Sequence, residues 1–125
     1  MTGLVIHFEI PFDDKERAKR FYTDVFGWRH DEMPGLDYVG VSTGPSGEDG
    51  MPSEPGYIGG GMTARDDINA APLITLASAD IDADLARVTA HGGEVVAGRS
   101  AVADMGYAAY FKDSEGNVVG LWESA

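Results

Sequence analysis

The chain of 125 residues contains no cysteine. This absence excludes disulfide bonds, thiolate metal sites and a cysteine nucleophile. The chain also lacks a long apolar run, and the residues before its first predicted strand include no basic cluster. We therefore expect neither a signal peptide nor a membrane span, and the expected compartment is the cytoplasm.

Basic residues are scarce, with nine lysines and arginines against 21 acidic residues and a net charge of −12. Nucleic acids and anionic membranes both favour a basic surface, so this charge argues against either kind of partner. Two explanations of the acidic surface stay open. It is either ordinary solvation or adaptation to a salt-rich cytoplasm, where ions screen the repulsion between like charges.

The sequence contains the same pattern twice. In each copy a short apolar run is followed by an aspartate, a helix-like stretch and a glycine. The copies run from Asp14 to Gly27 and from Asp80 to Gly93, and they are offset by 66 residues. Two copies in so short a chain indicate one pseudo-symmetric domain, with a site expected where the copies face each other.

Each copy is predicted to contain a strand, a helix and three further strands. Hydrophobic periodicity and turn residues place the strands at 4–10, 28–32, 36–42, 57–63, 72–78, 94–97, 107–112 and 117–122. The apolar positions of the first helix are predicted to face the core: Ala18, Phe21, Tyr22, Val25 and Phe26. The corresponding core positions of the second helix are Ile81, Leu85 and Val88. A helix beside a mixed sheet predicts an α+β fold.

Strand alternation separates His7 and Glu9 from the apolar face of the first strand, which carries Ile6, Phe8 and Ile10. A His–Glu pair can act as general acid and base, although such neighbours also occur for stability alone. In the last strand, Trp122 shares a face with Gly120. An aromatic wall there suits an apolar ligand, and a core tryptophan is the alternative.

Three segments resemble the glyoxalase / bleomycin-resistance / extradiol-dioxygenase superfamily, whose members are also called vicinal oxygen chelate proteins. They read HFEIPFDDKERAKRFYTDVFGW, ASADIDADLARVTAHGGEVV and MGYAAYFKDSEGNVVGLWE. The chain looks closest to a small uncharacterised branch related to lactoylglutathione lyase. The resemblance implies two paired βαβββ modules that form an eight-stranded, open, barrel-like cavity within a single domain, 1–125. Module one is expected at 1–63, the linker at 64–71 and module two at 72–125, and the resemblance also implies a homodimer.

The resemblance further implies a divalent metal held by one ligand from the first and one from the fourth strand of each module. The first-strand positions are His7 and Leu73, and the fourth-strand positions are Gly60, within one residue, and Gly120. Only His7 can ligate a metal. We therefore expect no metal cofactor in the usual place, and a glyoxalase reaction is disfavoured because it needs that metal.

Three functions remain open. The first is a metal-free protein that binds a small organic molecule in the cavity between its modules. The second is a lyase or isomerase that uses His7 and Glu9 as catalytic residues, and the third is a metalloenzyme of the lactoylglutathione lyase or dioxygenase type with a relocated site. The expected substrate-binding residues are Thr75, Trp122, Gly60 and Gly120. The expected partners are a small-molecule ligand and a second copy of the chain.

Overall fold

The computed structural model describes residues 2–35 and 37–125. The elements in these residues are β1 Val5–Phe12, α1 Lys15–Phe26, β2 Arg29–Glu32, β3 Tyr38–Ser42, β4 Gly60–Ala64, β5 Leu73–Ala77, α2 Ile81–Ala90, β6 Glu94–Val102, β7 Gly106–Lys112 and β8 Val118–Ser124. The predicted α+β class and the repeated strand–helix–strand–strand–strand order are confirmed. The largest difference from prediction is β6, which extends to Val102 and contains irregular register near Ala97.

The chain divides into two units. The N-terminal unit is His7–Pro72, and the C-terminal unit combines residues 2–6 with Leu73–Ala125. Within the first, the strand order is β2-β3-β4-β1, and within the second it is β6-β7-β8-β5. In both units the first strand pairs in parallel with the fourth, while the other pairs are antiparallel. The two units therefore share one internal topology.

Both helices begin after the aspartates that the sequence indicates, and α1 ends at the predicted glycine, whereas α2 ends at Ala90 with His91 as its C-cap. The Asp14 side chain accepts a hydrogen bond from the Arg17 amide at 3.0 Å, and the Asp80 side chain accepts one from the Ala83 amide at 3.1 Å. These caps satisfy amides that have no partner inside the helix. Gly27 ends α1 with a φ of 75°, a left-handed conformation that glycine adopts without strain.

The core of the N-terminal unit lies between α1 and one face of the sheet. Val39, Val41 and Met62 form its centre, and Ala18 and Tyr22 of α1 pack against it. The prediction for the other apolar residues of α1 was wrong. Phe21, Val25 and Phe26 are 55%, 55% and 64% exposed. The helical period gave α1 a wide apolar face, but only part of that face contacts this unit's sheet.

The core of the C-terminal unit is formed by Ile81 and Leu85 of α2 together with Ala109, Phe111 and Leu121. Burial of Ile81 and Leu85 was predicted, and Val88 packs at the edge of the same cluster. Neither helix in the described part of the chain is long and apolar enough to cross a membrane.

Candidate functional site

The first feature of interest is the face of the N-terminal sheet opposite α1. Phe8 and Ile10 pack into the core beside α1, so His7 and Glu9 on the same strand point the other way. Glu9 is only 7% exposed, and His7 is half-buried. The structure therefore brings the two predicted catalytic residues to one face, with their side chains largely shielded from solvent.

Tyr38 of β3 joins this face. Its hydroxyl lies 2.5 Å from Nε2 of His7, and the two rings stack with centroids 6.3 Å apart. Sequence reasoning missed Tyr38. The available signal was alternation along β3, because Val39 and Val41 are core residues and Tyr38 must therefore lie on the opposite face from Val39.

Burial controls the protonation of this His–Tyr pair. Burial raises the pKa of Tyr38 well above its usual value, and the negative charge of Glu9 adds to the effect. Burial also lowers the pKa of His7, because a buried imidazolium loses its hydration. At neutral pH the phenol is therefore protonated and His7 is neutral, which allows the hydroxyl to donate to Nε2.

The register of β1 and β4 determines which glycine lies beside these residues. Glu9 pairs with Gly61, and Phe8 pairs with Gly60. In the second unit Thr75, the counterpart of Glu9 in the repeat, pairs with Gly120. Gly61 is thus the counterpart of Gly120 and lies on the face of His7 and Glu9. Gly60, named from the sequence with one residue of uncertainty, lies on the core face against Phe8.

Gly61 leaves room for Tyr38. A Cβ built at Gly61 would overlap the Tyr38 hydroxyl and the carbon that bears it. Any side chain at this position therefore needs Tyr38 to move. The missing side chain of Gly61 is a condition for the hydrogen bond between Tyr38 and His7.

The C-terminal unit carries the other predicted binding residues. Thr75, Gly120 and Trp122 share one face of its sheet, since Thr75 pairs with Gly120 and Ala77 with Trp122. Thr75 is 5% exposed, and its Oγ1 is buried without a hydrogen-bond partner in the described part of the chain. A Cβ at Gly120 would lie 2.9 Å from that oxygen. The sheet therefore has little room for a longer side chain at position 120.

The residues present do not fit the metal that the resemblance implies. Leu73, Gly61 and Gly120 offer no side-chain donor at three of the four positions, and Nε2 of His7 contacts Tyr38. Among residues 2–35 and 37–125, no three histidine, aspartate or glutamate side chains are grouped closely enough to hold a metal ion. The polar groups on this face are suited to hydrogen bonding and proton transfer.

Sequence comparison finds related proteins. The family described as "Bleomycin resistance protein-like N-terminal" matches residues 5–44. Proteins named "Putative glyoxylase CFP32" from Mycobacterium bovis and Mycobacterium tuberculosis are 28% identical over 116 residues, or 89% of this chain. The aligned part is 42% of each relative, so the chain spans less than half their length.

Solved structures show the same fold. A glyoxalase/bleomycin resistance protein/dioxygenase superfamily member from Vibrio splendidus aligns over 100% of both chains, with a TM-score of 0.63 and 14% identity. Methylmalonyl-CoA epimerase from Mycobacterium tuberculosis aligns over 98% of this chain and 88% of its own, with a TM-score of 0.60 and 17% identity. A variant of the Streptomyces coelicolor epimerase, in complex with 2-nitronate-propionyl-CoA, aligns over 100% of this chain and 96% of its own, with a TM-score of 0.63 and 18% identity.

Proposed function

We propose that this chain, which is similar to members of the glyoxalase/bleomycin-resistance/dioxygenase superfamily, binds a small organic molecule through His7, Glu9 and Tyr38, without the usual metal. The observation that carries this proposal is the buried Glu9 carboxylate beside a hydrogen-bonded His–Tyr pair on one sheet face. Ionisable groups are costly to bury, and a cluster with shifted pKa values is typical of functional sites.

The similar structures support the ligand class. One of them is a methylmalonyl-CoA epimerase in complex with methylmalonyl-CoA, so this fold accommodates an organic thioester in that protein. For this chain we propose a ligand with a carbonyl or hydroxyl oxygen, because phenol and imidazole groups recognise such oxygens by hydrogen bonding. Thr75, Gly120 and Trp122 stay predicted ligand contacts.

The test is a thermal-shift screen of small metabolites on the purified chain, since a ligand that binds only the folded state raises the melting temperature. Calorimetry on His7→Ala and Glu9→Gln then locates the site. Loss of a hydrogen bond to the ligand should weaken binding by about 1–3 kcal/mol. Glu48→Gln, at an exposed loop position, is the control. If His7→Ala and Glu9→Gln bind the ligand as tightly as the wild type, the ligand binds at another place on the chain.

A second candidate is a lyase or isomerase reaction, which the neutral state of His7 favours. In an isomerisation, the ligand would first displace the Tyr38 hydroxyl from Nε2 of His7. His7 would then accept a proton from a carbon next to a carbonyl, and a protonated Glu9 would supply a proton to the opposite face of that carbon. Incubation with methylmalonyl-CoA in D₂O, followed by NMR of the α-proton, tests this chemistry. If the wild type exchanges the α-proton for deuterium and His7→Ala does not, the reaction is supported. If the wild type and His7→Ala exchange it at the same rate, the reaction is rejected.

We also propose a cytoplasmic homodimer. Unpaired edge strands invite pairing or covering, and α1 exposes three large apolar side chains. A second copy of the chain is the partner that would cover them.

A further inference from the structure

One oxygen atom, the hydroxyl of Tyr38, lies beside both positions of the N-terminal unit at which the resemblance implies a metal ligand. It lies 2.5 Å from Nε2 of His7, the one retained ligand position. It also fills the space that a side chain at Gly61 would need. Gly61 is the register counterpart of Gly120, the other fourth-strand ligand position.

We propose that the Tyr38 hydroxyl takes the place of the metal in this chain, so that a phenol–imidazole pair and not a cation is the polar group that meets the ligand. This inference rests on the proposed function and deepens it. A metal binds two neighbouring oxygens of a ligand at once. A phenol–imidazole pair instead recognises a single carbonyl or hydroxyl oxygen, and the ligand class changes accordingly.

The tautomer of His7 sets the direction of this hydrogen bond, and we assign the donated proton to the Tyr38 hydroxyl. A phenol has one proton to donate, and a neutral imidazole has one acceptor nitrogen. With the Tyr38 hydroxyl donating to Nε2, the proton of His7 must be on Nδ1. Nε2 then has no free lone pair for a metal ion, because the hydroxyl hydrogen occupies it.

The first experiment needs no ligand. In the ¹⁵N-histidine NMR spectrum of the wild-type chain we expect His7 as the Nδ1–H tautomer with Nε2 as an acceptor. In Tyr38→Phe, which keeps the ring and removes the hydroxyl, the His7 signals should shift towards the Nε2–H tautomer. His91, exposed at the end of α2, is the internal control and should not change. A wild-type His7 protonated on Nε2 would overturn the proposal.

The second experiment uses zinc chloride alone. One equivalent of Zn²⁺ should leave the His7 signals of the wild-type chain in place. The double variant Tyr38→Ala, Gly61→Glu removes the hydroxyl and returns a carboxylate, and it should bind Zn²⁺ at least tenfold more tightly. Tyr38→Ala alone is the matched control, and melting curves of every variant establish folding. The proposal would be overturned if zinc shifted the His7 NMR signals of the wild-type chain in a saturable way. It would also be overturned if the folded double variant bound Zn²⁺ no more tightly than Tyr38→Ala alone.

The two proposals fail separately. Absence of any ligand in the metabolite screen, or unchanged affinity in His7→Ala and Glu9→Gln, rejects the proposed function while the tautomer and zinc results stand. A wrong tautomer or a zinc-binding wild type rejects the replacement of the metal by Tyr38, whatever the metabolite screen finds.

Discussion

The aromatic ring of Phe8 lies directly against the backbone of Gly60, its partner in the parallel pair of β1 and β4. A Cβ at Gly60 would come within 2.6 Å of three ring carbons. Phe8 is held in turn by the ring of Trp28, at a centroid distance of 5.6 Å. Two adjacent glycines of β4 thus leave space for two different rings. Gly60 leaves space for Phe8 on the core face, and Gly61 leaves space for Tyr38 on the opposite face.

Gly60→Ala should destabilise the chain. The added methyl group meets the part of Phe8 nearest its backbone, so the whole ring must move within a packed core. Overpacking of this kind costs about 1–3 kcal/mol. Urea unfolding measures the loss. The matched control is Gly98→Ala in β6, where a Cβ would have no neighbour within 4 Å and the change should stay within about 0.5 kcal/mol. Equal stability of the two variants would contradict the packing described.

Gly61→Ala should act on the site more than on stability. Here the added methyl group meets the far end of a side chain, the hydroxyl end of the Tyr38 ring, rather than backbone. We expect the hydrogen bond between Tyr38 and His7 to break, with the His7 tautomer changing as it does in Tyr38→Phe. Histidine NMR is the measurement, and Gly98→Ala is the control because a Cβ at Gly98 meets no neighbour within 4 Å. An unchanged His7 spectrum in Gly61→Ala would show that Tyr38 is not confined by position 61.

Met62→Ala should be among the most damaging truncations in the N-terminal unit. Met62 is 1% exposed and lies between β1 and β3 at the centre of the core. Removal of so large a buried side chain leaves a cavity and costs about 2–5 kcal/mol. Met51→Ala is the matched control, since Met51 is 55% exposed in the loop before β4. Chemical denaturation measures the free energy of unfolding of both variants. A similarly small decrease in Met62→Ala and Met51→Ala would place Met62 outside the core.

Local pattern in the sequence predicts the fold well and the site only in part. The helix caps Asp14 and Asp80 and the repeated strands follow from chemistry within a few residues, which the sequence displays directly. The contact between Tyr38 and His7 joins residues 31 positions apart, and it depends on the register of β3, β4 and β1. A one-residue change of register moves a side chain to the other face, which is why Gly60 was named where Gly61 lies.

The exposure of α1 shows a second limit of sequence reasoning. Periodicity identifies the apolar side of a helix, but it does not say how much of that side its own sheet covers. Tyr22 packs against Trp28 with ring centroids 4.5 Å apart, whereas Phe21 on the neighbouring position is more than half exposed. The width of a sheet beneath a helix is a property of the tertiary structure.

The stability of the chain should fall as the pH drops below about 6.5 partly because of His30. Burial lowers the pKa of His30, and the charge of Lys19 adds to this effect, although Asp31 and Glu32 oppose it. Since the folded pKa lies below the unfolded one, the unfolded chain binds more protons in this range, and protonation favours unfolding. The stability that the chain gains from keeping His30 neutral is fully present above a pH of about 6.5, and it is lost as the pH falls through the pKa of His30 in the folded chain.

Melting temperatures of the wild type and His30→Gln between about pH 5 and 8 test this assignment. The variant should lose less stability than the wild type as the pH falls. His91→Gln, at the exposed end of α2, is the control and should follow the wild-type curve. Parallel curves for wild type and His30→Gln would assign the acid sensitivity to other groups.

The last prediction is that two copies of the chain associate through α1. Its exposed Phe21, Val25 and Phe26 form an apolar patch. In a two-fold dimer the patch on one copy covers the same patch on the other, which removes both from water. Light scattering at micromolar concentration should give the mass of a dimer. The double variant Phe21→Ser, Val25→Ser should lower the measured mass towards that of a monomer. The control is Met105→Ser, which alters an exposed methionine of the C-terminal unit and should leave the dimer intact. A monomeric wild type would reject the dimer, and a double variant that stays dimeric would place the interface on another surface.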